Sequence, residues 1–225
     1  MFIIPALTGG GAEKVITLLL KYINREKFTP ILVLIKKIGP FVGDIPTDIK
    51  LIDLKCRSTK SAFLKIFHTI RVEKPHVVMS TLGHLNLIIA LLKFFLPQKI
   101  FYIARESNII SLHNKNEKYP LIFNFLFRTV YKNFDKIICQ SRSMKDDLVK
   151  EFFIPSDKIE TINNPIDFKA IEKLKLESTG TKFSPSKTYF LAAGRLTEQK
   201  SFSRLIKSFS MTKNRNNHLI IMGDG

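Results

Sequence analysis

The chain has 225 residues, 45% hydrophobic and 24% charged, a composition that supports a packed core and excludes a disordered chain. Its formal net charge of +17 favours anionic partners such as nucleic acid, lipid head groups or phosphorylated ligands, although lysines coating solvated helix faces account for part of the excess. No compact block of Lys and Arg occurs, which argues against a nucleic-acid-binding tail.

In chain order, residues 2–5 read as a strand stopped by the turn Thr8-Gly9-Gly10-Gly11. Residues 1–7 lack a charged leader region and read as buried strand rather than signal peptide. From Ala12, the apolar residues Val15, Ile16, Leu19, Leu20 and Ile23 recur at helical spacing. Residues 31–35 are continuously apolar, the pattern of a parallel strand covered on both faces, and residues 51–54 make a weaker strand. Ser61 is placed to cap a helix whose apolar face holds Phe63, Leu64, Ile66, Phe67 and Ile70. His68 falls among these apolar neighbours and is expected to be structural. A strand at 76–81 follows, then a helix at 85–96, too short to span a bilayer and carrying Lys93, then a strand at 99–104. Residues 119–133 read as an aromatic-rich helix and 136–140 as a strand. Ser143 opens a helix to Phe152 with Asp146 and Asp147 near its positive end, and 158–162 is a further strand.

Asn163-Asn164-Pro165-Ile166-Asp167 breaks the pattern, because proline cannot donate to a central ladder. A polar segment with Ser178, Thr179, Gly180, Pro185 and Ser186 leads to a new strand at 189–193, a loop at 195–200, a helix at 202–211 and a strand at 218–222. Strict alternation of strand and helix predicts a doubly wound, Rossmann-like parallel sheet with ligands at the carboxyl ends of its strands. The expected organisation is a domain at 1–165, a linker at 166–187 and the incomplete start of a second Rossmann-like domain at 188–225, since a whole one takes about 150 residues. Cys56 and Cys139 share no metal-ligand spacing and no disulfide framework, which points to a reducing compartment.

Three segments carry candidate chemistry. Gly9-Gly10-Gly11-Ala12-Glu13-Lys14-Val15 joins a strand to a helix, where glycines admit a ligand to the backbone and the helix N-terminus offers free N–H groups to a phosphate. It is not GxGxxG, and a tight turn packed on its own sheet is the competing reading. Gly194-Arg195-Leu196-Thr197-Glu198-Gln199-Lys200 is a second such loop. There Arg195 can fork onto phosphate oxygens and Lys200 adds a mobile charge, unless both are simply solvated. Met222-Gly223-Asp224-Gly225 ends an apolar strand in a turn that suits either a nucleotide or plain chain reversal.

Taken in order, Gly-Gly-Ala-Glu-Lys-Val at 10–15, Asn164-Pro165-Ile166-Asp167, Gly-Arg-Leu-Thr-Glu-Gln-Lys at 194–200 and Met-Gly-Asp-Gly at 222–225 closely resemble the retaining GT4-type glycosyltransferases. The resemblance implies the two-domain GT-B fold and transfer of a sugar from a nucleotide-diphosphate sugar to a glycan or lipid-linked acceptor, with no cofactor and no metal. By the same resemblance, Arg195 and Lys200 hold the donor diphosphate and Gly10 and Gly11 line the cleft beside it. Gly194 and Gly223 approach the nucleotide. Arg105 and Glu106 are the candidate catalytic or orienting groups, with Glu13, His84 and Asn108 in the acceptor cleft. The implied setting is cytoplasmic, peripheral at the inner face of an anionic membrane, in surface polysaccharide synthesis and without nucleic acid.

Three departures stand out. Ser201 follows Lys200 where many relatives have glycine. Arg105-Glu106 occupies the place of a His-Asp pair found in some relatives, so no catalytic histidine carries over. The family's later Glu-rich donor segment has no counterpart within the 225 residues. The chain is therefore expected to hold the acceptor half and only the phosphate loop of the donor half, with little transfer activity of its own. The alternative is a non-catalytic or split product that binds acceptor or partner alone.

Overall fold

A computed structural model describes residues 1–115, 117–177, 183–214 and 216–223, divided into two compact units, Met1–Asp167 and Phe168–Gly225. Ser178, Thr179 and Gly180 of the expected linker, and Asp224 and Gly225 of the last turn motif, lie outside the described residues.

The first unit is built on seven parallel strands: β1 (Phe2–Ile4), β2 (Ile31–Leu34), β3 (Lys50–Asp53), β4 (Val77–Thr81), β5 (Phe101–Arg105), β6 (Lys136–Cys139) and β7 (Ile159–Thr161). Their order is β3-β2-β1-β4-β5-β6-β7. Successive side chains of a strand point to opposite faces, and the buried residues sort accordingly. Ile3 and Val33 pack with Ile66, Ile70, Leu85, Ile89, Phe127 and Leu148 in one core. Ile4, Leu32 and Leu34 pack with Ile16 and Leu20 in the other. Continuous apolar runs are therefore required, because each strand is covered on both sides. The chain lays β2 and β3 to one side of β1 and β4 to β7 to the other. The direction of winding thus reverses between β1 and β4, and the crevice at their carboxyl ends is where such sheets bind ligands.

The helices are α1 (Gly11–Tyr22), α2 (Phe63–Glu73), α3 (Gly83–Leu92), α4 (Ile110–Asn114), α5 (Pro120–Val130) and α6 (Arg142–Phe152). Several details differ from the sequence expectation. On α2, Ile66 and Ile70 are fully buried while Leu64 is 74% exposed, and His68 is exposed as well. Residues four apart share a stripe, and 64 and 68 lie on the stripe turned from the sheet. Ser61 does not cap α2; its Oγ donates to Ser58 O at 2.9 Å in the preceding turn. α6 starts at Arg142, one residue before the expected Ser143, and Ser141 caps it, its Oγ accepting from Met144 N at 3.3 Å. Asp147 accepts from Ser111 N at 3.1 Å and so ties α6 to α4, a helix the periodicity did not predict. The helix expected at 85–96 stops at Leu92, where Lys93 Nζ donates to Asn133 O and to Asp135, both at 2.7 Å.

In the second unit, α7 (Phe168–Lys175) lies inside the segment expected to be linker, and β8 (Thr188–Ala193), α8 (Phe202–Ser210) and β9 (Asn217–Met222) follow. β8 and β9 pair in parallel from Thr188 opposite Asn217 to Ala193 opposite Met222. Among its described residues none is buried.

Candidate functional site

The loop after β1 is shaped by its glycines in different ways. Gly9 takes φ +97°, a conformation that side chains resist. A Cβ at Gly10 would run into the Glu13 carboxylate, which folds back over the loop, is buried, and accepts from Thr8 Oγ1 at 3.2 Å. A Cβ at Gly11 would meet nothing within 4 Å. A side chain at 10 would have to displace the Glu13 carboxylate, whereas position 11 is open. No side chain caps the start of α1.

Arg105 and Glu106 end β5 beside this loop, and both are 3% exposed. Arg105 donates to Asn164 Oδ1 at 2.7 Å and to Thr81 Oγ1 at 3.3 Å, so the residue leaving β7 is tied to the ends of β4 and β5. Burial holds its guanidinium below the usual value, and the charges of Glu106 and Glu13 oppose that shift. Asp167, four residues from the break in the β-pattern, accepts from Lys21 Nζ at 3.0 Å and Tyr22 OH at 2.9 Å. The Asn-Pro-Ile-Asp motif thereby pins the chain's exit from this unit to the strand ends and to α1.

Glu106 sits in a buried network that the sequence reading missed. Its Oε1 accepts from Tyr131 OH and, at 2.6 Å, from Asn86 Nδ2. Asn86 Nδ2 also lies 3.1 Å from Arg105 O, a contact that orients the amide, since a flipped Oδ1 would face a carbonyl. Burial pushes the Glu106 carboxyl up to about 7, while the hydrogen bonds from Tyr131 and Asn86 and the Arg105 charge pull it down. Asn86 was the available signal: a single amide in the apolar run 85–92 has to find buried partners.

A cavity of about 220 Å³ opens at this edge, lined by Glu106, Asn108, His84, His113 and Asn114 together with apolar residues that include Phe123 and Phe127. Three of the sequence-predicted residues, His84, Glu106 and Asn108, thus converge. Arg105, Glu13, Gly10 and Gly11 do not line it. His84 Nε2 lies 2.8 Å from Glu117 Oε1 and His113 Nε2 lies 3.6 Å from the same oxygen. The His84 ring also packs edge-on against Phe123, with centroids 5.0 Å apart. The two cysteines are buried thiols, and burial pushes Cys139 up to about 12, which makes it a poor nucleophile.

In the second unit, Gly194 has φ +154° and donates its N–H to Met222 O at 2.9 Å. A Cβ at Gly223 would collide with the carbonyl of Gly194. The two glycines are the price of backbone-on-backbone contact between the ends of β8 and β9. The stem of Lys200 covers the face of Gly194, with Cε 3.5 Å from where a Cβ would stand. The loop closes through Thr197 N to Arg195 O at 2.8 Å and Lys200 N to Thr197 O at 3.0 Å, leaving Arg195 and Lys200 exposed. Ser201 stands at φ +52°, a left-handed position that explains why glycine suits it.

Residues 9–170 match the family described as Glycosyltransferase Family 4. A Campylobacter jejuni protein named N-acetylgalactosamine-N,N'-diacetylbacillosaminyl-diphospho-undecaprenol 4-alpha-N-acetylgalactosaminyltransferase is 24% identical over 99% of this chain and 61% of its own length. Among solved structures, the apo lipopolysaccharide outer core galactosyltransferase WaaB aligns over all of this chain and 60% of its own, with a TM-score of 0.67 and 15% identity. Anabaena HepE in complex with UDP aligns over 99% and 60%, with a TM-score of 0.69 and 14% identity. The chain thus spans about 60% of the length of these relatives.

Proposed function

The chain belongs to glycosyltransferase family 4 and has the GT-B type of fold, and from that premise we propose that the protein transfers a sugar, with retention, from a nucleotide-diphosphate donor to a glycan or lipid-linked acceptor. The observation that carries this reading is the largely apolar cavity at the carboxyl edge of the sheet, into which the polar residues Glu106, Asn108 and His84 converge. A sugar-bearing acceptor offers hydroxyls to such groups, and the apolar wall from Phe123 and Phe127 suits a sugar ring face. Glu106, with a carboxyl near 7, can hold or release a proton in the physiological range. Arg105, held by Thr81 and Asn164, is read as a positioning residue for Glu106. On the donor side, Arg195 and Lys200 supply the charges that meet the diphosphate as the glycosidic bond breaks.

The lipid-linked form of acceptor is favoured by the Campylobacter relative, whose name specifies a diphospho-undecaprenol substrate. Among the described residues no helix is long and apolar enough to cross a membrane. Leu121, Ile122 and Phe125 of α5 are 84%, 57% and 64% exposed on a chain of net charge +17, which suits cytoplasmic, peripheral attachment to an anionic lipid surface.

The test is calorimetric binding of a nucleotide-diphosphate sugar to the whole chain, followed by transfer of labelled sugar into a lipid extract. Arg195→Ala is expected to weaken donor binding by about 1.5–3 kcal/mol, the loss of a charge-assisted hydrogen bond. Donor binding unaffected by Arg195→Ala and Lys200→Ala together overturns the donor assignment. A signal for vesicle binding that does not differ between anionic and neutral lipid overturns the membrane assignment.

A further inference from the structure

Of His84, His113 and Glu117, His84 faces the acceptor in the reading above, His113 has been given only a place in the cavity wall, and Glu117 has no role yet. They arrive from separate segments: His84 from the first turn of α3, His113 from α4, and Glu117 from the turn beyond it. Their ligand atoms all lie within 4.8 Å of one another. The carboxylate sits between the rings, 2.8 Å from one Nε2 and 3.6 Å from the other. Atoms bound to one ion at about 2.0–2.2 Å stand some 3 Å apart, so the two measured spacings bracket what chelation requires. The side chains are 47%, 49% and 22% exposed, which admits an ion from solvent and leaves the rings room to turn toward it.

As one hydrogen bond and one longer ion-pair contact at the surface this arrangement stabilises little, about 0–1 kcal/mol. As a ligand set it is of the His₂-carboxylate kind used for zinc and other borderline divalent ions, with positions left for water or an oxygen of a bound molecule. Calcium and magnesium prefer all-oxygen shells and are not matched by two imidazoles. Cys56 and Cys139, the other soft donors, are buried and do not compete for the ion.

We propose that His84, His113 and Glu117 form a binding site for a divalent transition ion of the zinc type at the wall of the cavity. The ion cross-links the start of α3 to α4 and the turn after it, and so braces one side of the cavity that Glu106 also lines. This assignment does not depend on the transferase reading, because metal binding is measured without any sugar.

Titration of the whole chain with Co²⁺ and Zn²⁺ tests it. Saturable binding of one equivalent is expected, with visible cobalt bands typical of low-coordinate nitrogen and oxygen ligation and a rise in Tm from preferential binding to the folded chain. Outer-shell substitutions already cost about 10–100-fold in metal affinity, so His113→Asn and Glu117→Gln are each expected to lose at least that much. His68→Asn, at an exposed histidine on α2, is expected to bind as the parent does. A readout that needs no variant is protection from diethyl pyrocarbonate: Zn²⁺ should shield His84 and His113 and leave His68 reactive. Absence of saturable binding, equal loss in His68→Asn, or equal labelling of all three histidines with and without Zn²⁺ overturns the proposal.

Discussion

The two units repeat one pattern, a parallel pair of strands joined through a glycine loop and a helix, yet they differ sharply in what that pattern buries. In the first, Leu32, Val33 and Leu34 of β2 are 0% exposed. In the second, Phe190 and Leu191 of β8 are 47% and 63% exposed, and Ile206 of α8 is 53% exposed. The strands of both have the same apolar character, so the difference lies in the number of layers around them. A sheet with helices on both faces removes its side chains from water. One helix and two strands cover part of one face, and the backbone ladder alone adds little net stability.

The largest consequence concerns hydrogen exchange. Amides of β1, β2, β4 and β5 should exchange only through global unfolding, at about 5–15 kcal/mol for a domain, whereas those of β8 and β9 should exchange through local opening at a small fraction of it. Equal protection in the two sheets would break the comparison. Next come paired truncations. Leu32→Ala should cost about 2–5 kcal/mol, and Leu191→Ala should fall within about 0.5 kcal/mol of the parent in urea unfolding.

A third prediction sharpens the contrast in electrostatics, since among the described residues only the first unit encloses a charge-bearing network. The Glu106 carboxyl rises from 4.5 to about 7 on folding, so between those values the native state holds a proton that the unfolded state has lost. Stability is then fullest below pH 4.5 and declines as pH rises through about 7, by a total on the order of 3 kcal/mol. Glu106→Gln cannot titrate, and its urea midpoint should lack this decline; parallel pH curves for the two proteins would refute a neutral buried Glu106. The smallest effect belongs to the second unit. Ser201→Gly should relieve about 1 kcal/mol of left-handed strain, read as slower local exchange in α8, and faster exchange there would refute the strain.

The alternation of elements was legible because burial on two faces demands apolar runs, and every predicted strand appears with its ends displaced by no more than two residues. The candidate loops were legible because glycines stand where strands turn into helices. Caps were not. Ser61 has suitable chemistry, but the turn at Ser58 takes its hydroxyl, while α6 is capped by Ser141. α7 was read as linker because polar residues dominate it, although Phe168, Ile171 and Leu174 recur at helical spacing.

What the sequence by itself determined is the order of strands and helices, the break at Asn164-Pro165 and the placing of Gly10, Gly194, Arg105 and Glu106 at strand ends. These are local consequences of side-chain period, proline's missing donor and glycine's freedom. Tertiary structure alone decided that Asn86 and Tyr131 meet Glu106, that Asn164 holds Arg105, and that His84, His113 and Glu117 share one small volume. Those meetings depend on how the crossovers stack along the sheet, and residues tens of positions apart carry no periodic mark of where that stacking will bring them.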